Sequence, residues 1–119
     1  MTPGKTVLVV DDDPAIRDLL GTALEDDGYR VERAANGREA LETADRHRPH
    51  AVILDATMPV MDGWEFLARW QARPAEQRAP VLVVSALATS NVALRRGAQG
   101  FLSKPFDLDT LETALDLVL

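Results

Sequence analysis

Three segments of this chain are unbroken apolar runs: Val7–Val10 (VLVV), Ala51–Leu54 (AVIL) and Val81–Val84 (VLVV). Each is short and rich in β-branched residues. Polar residues bound them, Lys5 and Asp11 for the first, Asp55 for the second and Ser85 for the third, whose strand is read from Pro80 to Val84. A strand with one wet face alternates apolar and polar residues, so a run without alternation reads as a strand buried on both faces. Such strands need a layer of helices above and below them.

The intervening segments supply those helices. After the first strand (Lys5 to Asp11), Asp13 is placed as an N-cap and Pro14 as a first helical residue. Ile16, Leu19, Leu20, Ala23 and Leu24 then recur at helical spacing, and Gly28 stops the helix. Arg30 to Ala34 is a more polar strand, suited to a sheet edge. Gly37 to Arg46 is a helix with Ala40, Leu41 and Ala44 on one face. Asp62 opens a third helix carrying Trp64, Phe66, Leu67 and Trp70, and Arg73 to Pro80 is a polar loop. Asn91 to Arg96 is a short helical segment, and Phe101 to Ser103 a brief strand before Lys104-Pro105. The last helix runs from Asp107 to Val118, with Leu108, Leu111, Leu115 and Val118 along one side. Five strands thus alternate with five helices through short loops, which predicts an α/β fold with a doubly wound, five-stranded parallel sheet. No repeat or linker divides the chain, and its 119 residues suit one domain, 1–119.

Composition narrows the chemistry. With no cysteine, disulfides, thiolate metal sites and cysteine catalysis are excluded. No apolar run is long enough to span a membrane, and Met1 to Lys5 is too short and polar for a signal peptide, so a cytoplasmic location is expected. The formal charge of −6 argues against a nucleic-acid partner. The acids concentrate in two places. Residues 11–27 hold seven acids against Arg17 alone, and residues 105–119 hold four acids and no base.

In an open parallel sheet, ligands sit beyond the carboxyl ends of the strands. The first strand ends on Asp11, Asp12 and Asp13, the third on Asp55, the fourth on Ser85 and the fifth on Lys104; the second ends on Ala34-Ala35. The reactive side chains therefore converge on one rim. Clustered carboxylates repel, and either raised pKa values or a bound cation relieves them. An all-oxygen set without His or Cys suits Mg²⁺ (or Mn²⁺). The plainer reading of Asp11 to Asp13, a capped helix N-terminus, accounts for Asp13 and leaves Asp55 unexplained. Lys104, in a chain with two lysines and 11 arginines, supplies a compact positive charge to a carboxylate or a phosphoryl oxygen. Ser85 offers a hydroxyl to the same place.

Together these residues resemble a two-component response-regulator receiver domain of the CheY-like family. The resemblance spans Val7 to about Val118 and rests on VLVVDDDP, Asp55-Ala56-Thr57-Met58-Pro59, Met61-Asp62-Gly63, Val84-Ser85-Ala86 and Lys104-Pro105-Phe106. It implies a flavodoxin-like strand order 2-1-3-4-5. It further implies that Asp55 is the phosphoacceptor, and that Asp11 and Asp12 hold Mg²⁺ together with Asp55 and the backbone carbonyl of Thr57. The pair Asp12 and Asp13 is a possible register, and Pro14 favours Asp11 and Asp12. Lys104 would pair with the phosphoryl group through a segment whose Lys104–Pro105 bond is usually cis. Ser85 would turn toward the phosphoryl group on activation, and Phe101 stands at the aromatic switch position. The implied partners are a sensor histidine kinase or phosphotransfer protein, a downstream target or output domain, and a second copy through the surface of the fourth helix, fifth strand and fifth helix. No direct nucleic-acid or membrane contact is implied.

Ser85 to Lys104 spans 19 residues, a few fewer than is usual in such domains, and the shortfall lies around the fourth helix. The switch or dimer surface is therefore expected to be remodelled there. Phe101 has no hydroxyl and reports by packing only; a static core Phe is the plainer reading. Trp64 and Trp70 read as core or half-exposed helix residues, His47 and His50 as solvated loop residues, and Asp107, Asp109, Glu112 and Asp116 as a solvated acidic face. Two rivals to a phosphoacceptor are a degenerate receiver acting as a binding module and a small Mg²⁺-dependent aspartyl-phosphate phosphohydrolase. Against the second, Thr57 stands where such enzymes carry a further acid, and the chain is too short for a substrate-selecting cap. The phosphoacceptor reading predicts no turnover beyond self-phosphorylation and autodephosphorylation.

Overall fold

A computed structural model describes residues 4–55, 63–85 and 90–119. The elements are β1 (Thr6–Val10), α1 (Pro14–Asp26), β2 (Arg30–Ala34), α2 (Gly37–His47), β3 (Ala51–Asp55), α3 (Gly63–Gln71), β4 (Val81–Ser85), α4 (Ser90–Arg95), β5 (Gly100–Ser103) and α5 (Leu108–Val118). A 3-10 turn at Ala75–Gln77 lies between α3 and β4. The sheet order is β2-β1-β3-β4-β5, and every neighbouring pair is parallel. Arg30 to Ala34 is the expected edge strand.

The apolar runs do what their lack of alternation requires. Leu8, Val10, Val52, Leu54, Val81 and Val83 face one core with Ala40 and Ala44 of α2, Phe66, Leu67 and Trp70 of α3, and Ala93 of α4. Val7, Val9, Ala51, Ile53, Leu82 and Val84 face a second core with Leu20 and Leu24 of α1 and Leu111 and Leu115 of α5. Successive residues of one strand thus fill opposite layers.

Short polar side chains begin the helices. Asp13 accepts hydrogen bonds from the amides of Ala15 and Ile16, with Pro14 at the first helical position. Asn36 accepts from the Glu39 amide, while the Glu39 carboxylate accepts from the Ala35 amide. Asp107 accepts from the Thr110 amide at 2.8 Å, and the Thr110 hydroxyl together with this amide holds its carboxyl below the usual range. Gly28 follows α1 at φ +96°, a left-handed conformation that suits glycine. Arg48 closes α2 in the same region, at φ 44°.

Four expectations change. Leu19, at helical spacing with the apolar residues of α1, is 62% exposed and not on the buried face. The inward line is Ile16, Leu20 and Leu24, one helical turn apart, and Leu19 falls beside it. Leu108 is likewise 42% exposed at the start of α5, ahead of the buried Leu111 and Leu115. His50 is an exposed loop residue as expected, whereas His47 belongs to a helix. His47 ends α2 with Nε2 3.4 Å from Glu32, and His50 Nδ1 accepts the Thr6 amide at 3.0 Å. The fourth helix begins one residue earlier than expected and has six residues, in keeping with the short Ser85–Lys104 spacing. Of the two tryptophans, Trp70 is fully buried and Trp64 is half-buried against the first core.

Candidate functional site

Parallel strands bring all their carboxyl ends to one side, and the site is assembled there. Asp11 directly follows β1 and is 1% exposed; Asp55 ends β3 and is 7% exposed. Adjacency of β1 and β3, with Val10 paired to Leu54, brings these two acids together although 44 positions separate them. Asp12 stands exposed at the rim. Asp11, Asp12 and Asp55 each offer a carboxylate oxygen, and the three oxygens lie within 4.8 Å of one another.

Asp11 is held from several sides. Its amide donates to the Ala34 carbonyl at 3.1 Å, and its own carbonyl accepts from Arg17 Nη1 at 2.8 Å. Its Oδ1 accepts from the Asp13 amide at 2.9 Å. Its Oδ2 is left toward Lys104, whose Nζ lies 3.4 Å away. The same Nζ is 3.6 Å from Asp55 Oδ2. One ammonium thus bridges two buried carboxylates. Asp13, the other member of the alternative register, caps α1 and stands outside this cluster.

Three carboxylates facing one ammonium leave the cluster with two negative charges when ionised. That imbalance and the all-oxygen donor set fit a hard divalent cation. Neither histidine lies among these donors, so the set does not favour a softer metal.

Ser85 ends β4, 2% exposed, one residue beyond the partner of Asp55 in the ladder. Its carbonyl accepts the Lys104 amide at 3.1 Å, which ties the Lys104 segment to the end of β4. The Lys104–Pro105 peptide is cis. Phe101 pairs with Val83 in the ladder, three residues before Lys104, and packs half-buried against the first core. Asp11, Asp12, Asp55 and Lys104 are therefore brought together, and Ser85 is adjacent. Thr57 lies outside the described residues.

Sequence reasoning missed one feature beside this cluster. Ile16, Leu19 and Leu20 of α1 face Pro105, Phe106 and Leu108 across a cleft of about 840 Å³ that reaches Lys104. The signal was present in Leu19 and Leu108, both read as core residues.

The family model of the response regulator receiver domain matches residues 7–116. A 14.6 kDa protein of Leptolyngbya boryana is 41% identical over 104 residues, covering 85% of this chain and 79% of that protein. The response regulator MprA of Mycolicibacterium vanbaalenii is 43% identical over 108 residues, 88% of this chain and 46% of MprA. The chain thus spans about half the length of that relative. Among solved structures, the chemotaxis protein CheY4 of Vibrio cholerae superposes with a TM-score of 0.87 at 39% identity, covering 98% of this chain and 99% of CheY4. The strand order, the acids at the ends of β1 and β3 and the matched residues agree on one conclusion: the chain belongs to the receiver-domain family of two-component response regulators.

Proposed function

We propose that this receiver domain accepts a phosphoryl group on Asp55, and that residues 1–119 act as one signalling unit in the cytoplasm. The observation that carries the reading is the Lys104 ammonium between Asp11 and Asp55, with the third carboxylate of Asp12 at the open side. An Asp55 oxygen attacks the phosphorus of a phosphohistidine on a sensor kinase or phosphotransfer protein. The new O–P bond forms as the N–P bond breaks, and the imidazole leaves with the bonding pair. Negative charge on the transferring oxygens is met by Lys104, and Ser85 donates its hydroxyl to one of them. Mg²⁺ or Mn²⁺, held by Asp11, Asp12, Asp55 and the Thr57 carbonyl, supplies further positive charge when bound. Burial of Asp11 and Asp55 strengthens these interactions relative to water.

The product is an acyl phosphate that water later removes, so the domain turns over only its own phosphoryl group. The Leu19–Phe106–Leu108 cleft opens beside Lys104 and suits an apolar helix face of the phosphodonor protein. Downstream, Phe101 links β5 to the first core, and its repacking would alter α4, β5 and α5. Arg95 at the end of α4 and the acids of α5 give that surface opposite charges, which supports contact with a target, an output domain or a second copy. No helix among the described residues is long and apolar enough to cross a membrane.

The test is incubation with Mg²⁺ and a small acyl-phosphate donor, followed by intact-protein mass spectrometry. One labile phosphoryl adduct is expected, and Asp55→Asn should abolish it. Absence of an adduct in the parent would identify a degenerate binding module. Multiple turnover of unrelated phosphate esters would instead identify a phosphohydrolase.

A further inference from the structure

The opposite rim, where the strands begin, carries a second cleft that the phosphoacceptor chemistry does not use. Two polar stretches meet there: the end of α2 leading into β3, and the segment from the end of α3 to β4. They enclose about 360 Å³, within the size range of small-molecule sites. Arg48, His50, Arg73 and Arg78 line it around the buried Trp70, in a protein whose net charge is −6.

Two of the guanidiniums are held in place by neighbouring side chains and backbone. Arg73 lies 4.8 Å over the Trp70 ring, with Nη1 2.7 Å from Asp45. The indole is itself fixed, because its Nε1 donates to the Ala79 carbonyl at 3.0 Å and its ring stacks on Phe66. Arg78 Nη1 donates to the Gln71 carbonyl and to Gln71 Oε1. An arginine has five N–H donors, so each retains several after these bonds. Arg48 makes no side-chain hydrogen bond or ion pair among the described residues, and its backbone takes the left-handed conformation usually left to Gly or Asn at a helix end. At His50 the Thr6 amide occupies Nδ1, so the neutral ring carries its proton on Nε2, a further donor. The lining acids are Asp45, already paired to Arg73, and Glu76. Donors and positive charge therefore exceed acceptors.

We propose that this cleft binds a small oxyanion ligand, through a phosphate or carboxylate group held by Arg48 and the remaining N–H groups of Arg73 and Arg78. Guanidinium forks match both groups in bidentate geometry, and pre-orientation over Trp70 lowers the entropy lost on binding. His50 immediately precedes β3, the strand that ends on Asp55, so the ligand would bind at the far end of the element carrying the phosphoacceptor.

Trp70 provides the readout, with Trp64→Phe removing the other indole. Titrating this protein without Mg²⁺, at constant ionic strength, with inorganic phosphate in one arm and succinate in the other should give saturable emission changes in at least one. Saturation by phosphate alone assigns a phosphoryl ligand, and saturation by succinate assigns a carboxylate. Arg48→Gly, which suits the left-handed backbone, should weaken binding about tenfold or more while the melting temperature does not fall. Emission that drifts linearly with both anions, or equal affinity in Arg48→Gly, would overturn the proposal.

Discussion

Replacing Lys104 with alanine separates the electrostatics of the site from its chemistry. The ammonium lies 3.4 Å from Asp11 and 3.6 Å from Asp55, whose side chains are 2% and 9% exposed. At an effective dielectric of about 20, each attraction is worth about 5 kcal/mol before desolvation is counted. Desolvation of the three groups offsets most of that, and Lys104 retains 23% exposure. Breaking a fully buried pair costs about 3–5 kcal/mol, so the partly open geometry here suggests about 2–3 kcal/mol. Urea unfolding of parent and Lys104→Ala in metal-free buffer measures it. Adding Mg²⁺ should then return stability, about 1.4 kcal/mol at tenfold above its Kd. The return should come at lower Mg²⁺ in the variant, because the ammonium no longer competes for the same oxygens. In an Asp55→Asn background, Lys104→Ala should cost about half as much, since one charged contact is already gone. If Lys104→Ala were as stable as the parent without metal, the carboxylates would not depend on Lys104 and the account of the site would fail.

Three further outcomes test other parts of the structure. Glu112 shares a hydrogen bond with Asp27 and lies near Asp109 and Asp116, and these acids hold its carboxyl above its ordinary value of 4.5. Its favourable contribution is therefore present below that value and is lost as pH rises through the folded-state pKa. Glu112→Gln should raise the melting temperature at pH 7 and give no gain below about pH 4; an equal gain at both pH values would contradict the sign. At Gly21, an added Cβ would meet the Arg33 guanidinium, with Cζ 2.6 Å away, so that side chain must swing off Asp18 and Glu25. The helix-propensity gain of about 1 kcal/mol and the loss of two exposed ion pairs should nearly cancel in Gly21→Ala. In an Arg33→Ala background the gain should appear in full; destabilisation there would mean the backbone packing itself excludes a methyl. Leu19→Gln should change stability by less than about 0.5 kcal/mol, given its exposure. It should slow phosphotransfer from a protein phosphodonor and leave labelling by acyl phosphate unchanged; equal slowing of both would remove the cleft from donor recognition.

Most of the layered fold was legible because its signals are local. Runs such as Val7–Val10 and Val81–Val84 require burial on both faces, and Asp13-Pro14 starts a helix by hydrogen bonds that reach only two or three residues. Strand ends were legible for the same reason, and in a parallel sheet they place Asp11, Asp55, Ser85 and Lys104 on one rim. Leu19 was misplaced because a helical period defines a stripe whose edges depend on what packs there. Leu20 and Leu24 reach the second core, while Leu19 turns to the open cleft beside Phe106. The contacts of His47 with Glu32 and of His50 with the Thr6 amide were not legible, because those partners are distant in sequence. Sequence alone determined the element order and the inventory of charges at the rim, since propensity, capping and strand burial act within a few residues. Only tertiary structure decided that one Lys104 ammonium spans Asp11 and Asp55, and that two polar loops form an arginine-lined cleft around Trp70. Those are distances between groups far apart along the chain, set by strand register and by how helices seat on the sheet.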